Sequence, residues 1–206
     1  MRVRSVSTLL KYSLAACCFA SALPLLASSV PYPNSGTVAP TVETFASSNN
    51  GVGVSLYYYG SSAAFSDSIQ VYDATDGFLS KAILANTTST AGKEVTVGKG
   101  SIKEGDEIVF LIDTPLGVFA SDPADSADGV NHVYITTYAG GVVNGVTIPA
   151  GLFLGFEDEP KGISDFDYND LEVVSTGVSV TPEPSSLMLL GTGVLGMAGV
   201  VRRRMA

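Results

Sequence analysis

Apolar and polar residues alternate through much of the chain between residues 52 and 174, and the period is that of strands. Val52, Val54, Leu56 and Tyr58 are interleaved with Gly53, Ser55, Tyr57 and Tyr59, a period of two that buries one face. Ile69-Gln70-Val71-Tyr72 and Glu94-Val95-Thr96-Val97 are shorter runs of the same kind. Ile108-Val109-Phe110-Leu111-Ile112 is continuously apolar, which predicts a strand covered on both faces. Val133 to Tyr138 is rich in β-branched and aromatic residues. Turn signals separate these runs at Asn50-Gly51, Asp76-Gly77, Gly105-Asp106, Asp128-Gly129, Gly140-Gly141 and Asn144-Gly145, where Gly and Asn tolerate positive φ. Between Val30 and Thr181 no stretch has amphipathic helical spacing. The pattern predicts an all-β, antiparallel, jelly-roll-like β-sandwich over residues 43–176. At about 130 residues such a domain buries a core without staples.

Two apolar segments at the ends break the pattern. Arg2, Arg4 and Lys11 precede an apolar run from Tyr12 to Leu26, and small residues follow at Ala20-Ser21-Ala22 and Ala27-Ser28-Ser29. Residues 1–29 therefore read as a secretory signal peptide, a substrate for signal peptidase. Both cysteines, Cys17 and Cys18, lie inside it. Leu14-Ala15-Ala16-Cys17 also resembles a lipoprotein processing box, although Tyr12–Ala16 is short for the apolar region before one. Under the signal-peptide reading the mature chain has no disulfide to staple its fold. At the other end, residues 177–186 read as a linker. The apolar run Leu187–Val201 follows, then Arg202-Arg203-Arg204. As a helix that run spans about 22 Å, short of a bilayer core of roughly 30 Å unless flanking residues and snorkelling arginines extend it. The triple arginine predicts a cytoplasmic end, with the domain outside.

Removing the ends changes the charge balance. Six of the eleven Lys and Arg residues are terminal, so five bases face nineteen acids between Val30 and Thr181, a net charge of −14. Such a surface excludes nucleic acid as a partner, because phosphate binding needs positive charge.

The acids are clustered. Gly155 to Leu171 reads G-F-E-D-E-P-K-G-I-S-D-F-D-Y-N-D-L, with six carboxylates and Lys161 as its only base. Acid packed this densely between strands needs a counter-charge or water, and carboxylate and carboxamide oxygens are what calcium prefers. The candidate metal ligands are Glu157, Asp158, Asp165, Asp167, Asn169 and Asp170. Asp165, Asp167 and Asn169 copy the first ligands of an EF-hand. Asp170 stands where that loop needs Gly and Thr176 where it needs Glu, so no EF-hand is present. A β-loop site is predicted instead, with alternate residues of an extended segment facing one ion and Asp170 capping neighbouring backbone. The segment Ser121 to His132 adds Asp122, Asp125, Asp128 and Asn131, together with the only histidine. Spacing alone favours a solvated turn there, and these four are further possible ligands.

Two resemblances rest on quoted motifs. Asp128-Gly129-Val130-Asn131-His132-Val133, with Gly155-Phe156-Glu157-Asp158 and Asp165-Phe166-Asp167-Tyr168-Asn169-Asp170-Leu171, resembles the secreted bacterial family domain of unknown function 4114 over about residues 105–175. That resemblance implies a sandwich-like extracellular module with a calcium site and no known activity. Pro182-Glu183-Pro184, the apolar run and Arg202, Arg203 and Arg204 resemble the PEP-CTERM sorting signal. This resemblance implies an exosortase as partner, export, and a transient or permanent membrane anchor through Leu187–Val201.

Gly191-Thr192-Gly193-Val194-Leu195-Gly196 spells a dinucleotide fingerprint, but no βαβ unit surrounds it. With one histidine and no nucleophile or zinc motif, the chain reads as a non-catalytic surface or matrix module. Two alternatives remain at this point. One is an exopolysaccharide-binding module using Tyr57, Tyr58, Tyr59 or Tyr138 as stacking platforms. The other is a glycoside-cleaving enzyme using paired carboxylates.

Overall fold

The computed structural model describes residues 30–41, 44–181, 192, 193 and 197 of the 206. The predicted signal peptide (1–29), Pro182, Glu183, Pro184, Arg202, Arg203 and Arg204 lie outside the described residues, as does most of Leu187–Val201. Thr192, Gly193 and Met197 are helical. Among the described residues no helix is long and apolar enough to cross a membrane.

The described residues fold as thirteen strands: β1 (Thr44–Ser47), β2 (Val54–Gly60), β3 (Ser68–Asp73), β4 (Phe78–Leu79), β5 (Glu94–Val97), β6 (Glu107–Thr114), β7 (Gly117–Ala120), β8 (Val133–Tyr138), β9 (Gly141–Val143), β10 (Val146–Ile148), β11 (Gly151–Phe156), β12 (Leu171–Thr176) and β13 (Val178–Thr181). One sheet runs β13-β1-β6-β3-β4, with β7 also on β6, and the second runs β5-β2-β12-β11-β8. The hairpin β9-β10 stands apart as its own pair. Every pairing between strands is antiparallel.

The two large sheets share one apolar core, as the alternation predicts. Phe45, Ile69, Val71, Ile108, Phe110, Ile112 and Phe119 come from the first sheet. Val54, Leu56, Tyr58, Val133, Leu154, Phe156, Leu171 and Val173 meet them from the second. Full burial of each such side chain contributes about 1.5–3 kcal/mol. β6 is covered on both sides as its continuous apolar run requires: Val109 and Leu111 form a separate cluster with Ala120 on the outer face.

Three features depart from the pattern read in the sequence. Val52 precedes β2 in a turn and is 60% exposed. Tyr59, on the face opposite Tyr58, is buried with Tyr138, Phe153 and Val174 against Ile148 of the β9-β10 hairpin, so the second sheet has apolar cover on both faces. Finally, β13 occupies the predicted linker and pairs with β1 along its whole length, from Ser47↔Val178 to Thr44↔Thr181. The folded unit therefore extends to Thr181, and Tyr32 and Ala39 from the segment before β1 are buried in it too.

Candidate functional site

Antiparallel pairing of β11 with β12 places Phe156 opposite Leu171. Glu157-Asp158 therefore leaves the sheet at the end where Asn169-Asp170 enters it. The intervening loop and the β2–β3 connection enclose a cleft of about 240 Å³ lined by Glu157, Asp158, Glu159, Asp165, Asp167, Asn169 and Asp170, with Ser62, Ala64 and Phe65 opposite. All six primary ligand candidates thus reach one cleft. The backbone that brings them there is not the extended segment expected. Phe166 (φ 48°) and Tyr168 (φ 58°) are left-handed, a conformation bulky residues rarely adopt. Both rings are buried in a cluster with Tyr32 and Ala39, while Asp165, Asp167 and Asn169 line the cleft.

The loop is held by its own side chains. Ser164 Oγ, Asp165 Oδ1 and Asp167 Oδ1 each accept the amide two residues on, from Phe166 (3.0 Å), Asp167 (3.3 Å) and Asn169 (3.1 Å). The Asn169 carboxamide donates to Asp167 Oδ2. Tyr168 Oη accepts the Ala39 amide at 2.7 Å and donates to the Asn131 carbonyl at 3.1 Å, locking the loop to two distant segments. Gly155 is required beneath it: a Cβ there would collide with the Tyr168 carbonyl oxygen.

The cleft is acidic and poorly compensated. Among the described residues neither Lys, Arg nor His lines it. Glu157 and Asp158 are 1% and 2% exposed, and among the described residues no N–H or O–H donor reaches Glu157 Oε2 or Asp158 Oδ2 unless Asp67 is protonated. Burial, then the charge of Asp170, pushes the Glu157 carboxyl up to about 8. Burial, then the neighbouring Asp67, pushes Asp158 to about 7. Asp170 rises to about 7, chiefly through burial, although the Asp158 amide bonded to its Oδ2 at 3.0 Å opposes the shift. Asp170 thus caps backbone as expected and also lines the cleft. Carboxylate oxygens converge here in two triads that share a member: Glu157 with Asp165 and Asp167, and Glu157 with Asp158 and Asp170, each within 4.8 Å. Separations of that order suit oxygen ligands around a calcium ion.

The second acidic loop takes other roles. Asn131 is buried, and its Nδ2 donates to the carbonyls of Ala39 (3.3 Å), Pro40 (3.0 Å) and Val133 (3.0 Å), while its Oδ1 accepts the Val133 amide. It is a backbone clamp. Asp128 accepts from the Lys161 amide at 2.7 Å and faces His132 Nε2 at 3.1 Å. Burial raises its carboxyl, but the Lys161 amide and His132 outweigh this and hold it below the usual range. His132 is fully buried, stacks on Phe119 at 4.3 Å, and turns Nδ1 to the Glu157 carbonyl. Asp122 caps the Ala124 amide, and Asp125 is exposed. None of the four lines the cleft.

Two acidic features were missed in the sequence. Asp67 is buried, with its Oδ1 unpartnered. It is held by Asn86 through 3.1 and 2.9 Å bonds and meets the Asp158 carboxyl. Its only sequence signal is an acid just before a strand. Asp73, Asp76 and Asp106 form another triad, which reads in the sequence as two ordinary turns. There the ammonium of Lys103 already pairs with Asp76 at 2.5 Å.

Of the predicted sugar platforms, Tyr57 of β2 is half-buried. Tyr58, Tyr59 and Tyr138 are all buried, packed in the core or under the β9-β10 hairpin.

Among known families, the PEP-CTERM protein-sorting motif matches residues 180–204. The match includes Pro182-Glu183-Pro184 and Arg202-Arg203-Arg204. It supports export, a C-terminal membrane anchor, and exosortase and signal peptidase as processing partners. It covers the tail alone. No curated protein and no solved structure matches the chain.

Proposed function

We propose that this chain is an exported, non-catalytic surface or matrix module whose β-sandwich is stabilised by calcium in the acidic cleft. The observation that carries the reading is a pair of oxygens, Glu157 Oε2 and Asp158 Oδ2, buried in a cleft that among the described residues is lined by acids and by no cationic side chain. A buried carboxylate without a partner is costly, and a divalent ion coordinated by oxygen removes that cost. The quoted likeness to domain of unknown function 4114 runs through the same residues and supports the same reading.

The cleft favours a cation site over an acid/base pair. Catalytic carboxylates are held in environments that push their pKa values apart, whereas Glu157, Asp158 and Asp170 all shift upward together. The burial of Tyr58, Tyr59 and Tyr138 counts against the exopolysaccharide alternative.

The test is a thermal melt in excess calcium and in chelator. A ligand at a hundredfold excess over Kd raises stability by about 2.7 kcal/mol. A calcium-dependent rise that Asp167→Asn reduces is the expected result. Coincident melts, with no ion bound at millimolar calcium, would overturn the proposal.

A further inference from the structure

We infer that the cleft takes two divalent cations, bridged by the Glu157 carboxylate. This rests on the calcium reading of the cleft and specifies how many ions that site holds and which residue joins them.

The geometry divides the cleft in two. Calcium sits 2.3–2.6 Å from its ligands, so two oxygens on one ion lie no more than about 5 Å apart. Glu157, Asp165 and Asp167 meet that limit as one triad, and Glu157, Asp158 and Asp170 meet it as another. Among the described residues the five acids form no single group of that size; Glu157 alone belongs to both triads. The chain path explains the division. Asp165 and Asp167 come from the returning arm of the loop, whereas Asp158 and Asp170 stand where β11 leaves and β12 enters the sheet. Glu157 lies between them.

Each half carries its own unpartnered buried oxygen. Glu157 is 1% exposed, with Oε2 free of any hydrogen-bond donor. Ser164 and the Tyr168 amide approach the same carboxylate, holding it in place from the loop side. In the second half Asp158 is 2% exposed and its Oδ2 likewise has no donor unless Asp67 is protonated. Asp67 lies against it, carboxyl to carboxyl, outside the cleft lining. A single ion seated in the first triad leaves Asp158 to share a proton with Asp67. An ion in the second triad engages Asp158 directly, with Glu157 and Asp170.

Charge leads to the same count. Among the described residues six carboxylates line the cleft without a basic side chain, so one divalent ion leaves four charges uncompensated and two ions leave two. A volume of about 240 Å³ accommodates both ions together with water. Asn169, Glu159 and that water supply the remaining oxygens of the six to eight that calcium takes.

The count is measurable. The full chain, purified in mild detergent and stripped with chelator, is titrated with calcium chloride by calorimetry, and its bound ions are counted by native mass spectrometry. Two calcium ions per chain are expected. The double variants Asp165→Asn/Asp167→Asn and Asp158→Asn/Asp170→Asn are each expected to retain one, and Glu157→Gln to weaken both by tenfold or more. One ion in the unmodified chain overturns the bridged pair and leaves the single-cation reading standing; no ion at millimolar calcium overturns both. The unmodified chain decides the count whether or not the variants fold. Where circular dichroism shows the variants folded, loss of both ions from either double variant would overturn the division into two triads.

Discussion

Gly155 lies directly beneath the Tyr168 carbonyl, so close that a Cβ at position 155 would fall far inside the 3.0 Å limit of real contacts. The obstructing atom is backbone, in a loop whose two left-handed residues are fixed by buried rings. Gly155→Ala is therefore expected to displace the loop and not merely to crowd it. Overpacking of this kind costs about 1–3 kcal/mol. The variant should melt lower and lose most of its calcium-dependent rise, and a melt in calcium and chelator reads both effects.

Asn131 distinguishes a clamp from a ligand. Its side chain makes four backbone hydrogen bonds, and Asn131→Ala leaves buried carbonyls and an amide without partners, at a cost of about 1–3 kcal/mol. The melting temperature should fall by roughly 2–4 °C for each kcal/mol lost in calcium and chelator alike. A change in calcium affinity with unchanged stability in chelator would return Asn131 to the ligand set.

The Tyr168 hydroxyl ties Ala39 to Asn131. Tyr168→Phe keeps the ring in its cluster and removes that tie, so the expected loss of stability is about 1–3 kcal/mol. The segment before β1 should also open to protease sooner than in the unmodified chain. Limited proteolysis with mapping of the first cut tests this, and cleavage elsewhere first would count against it.

In chelator, stability should fall as pH rises from 5 to 8. Glu157 is pushed up to about 8 and Asp158 and Asp170 to about 7, and burial pushes Glu172 of β12 to about 7 as well, against roughly 4 for an unfolded carboxylate. The folded chain therefore holds more protons across that interval, and by linkage it loses stability as they leave. Asp128 acts in the opposite sense, because its carboxyl is held low; its contribution is lost only as pH falls through the acid range. Excess calcium should flatten the fall above pH 5, since the ion replaces the protons. Melts at several pH values, with and without calcium, measure the slope; a rise toward pH 8 in chelator would contradict the assignment.

Much of the sandwich was legible because its strands alternate. β2 and β3 follow the period of two, β8 is marked by its β-branched and aromatic residues, and the unbroken run of β6 marks a strand covered on both sides. The short strands β4, β7, β9 and β10 were not legible, since two to four residues carry too little period to separate from a turn. β13 was hidden by its setting beside the sorting tail, and only its pairing with β1 gives it a place. At the cleft the clustered acids named their own loop. Asp67 was invisible because it converges from another connection, some ninety residues earlier in the chain. The left-handed backbone at Phe166 and Tyr168 likewise has no signal in residue type, since neither is a residue that favours it.

The pairing of β13 with β1 also has a mechanical consequence. β13 ends at Thr181, and the matched sorting motif is already under way at Val180. Any pull from the membrane side reaches the domain through a ladder four residue pairs long, which lies at the edge of its sheet. The tether is thus fastened to a strand that the rest of the fold holds from one side only. Under tension this edge is where the domain would yield first, while the cleft between β11 and β12 lies in the opposite sheet, off the line of load.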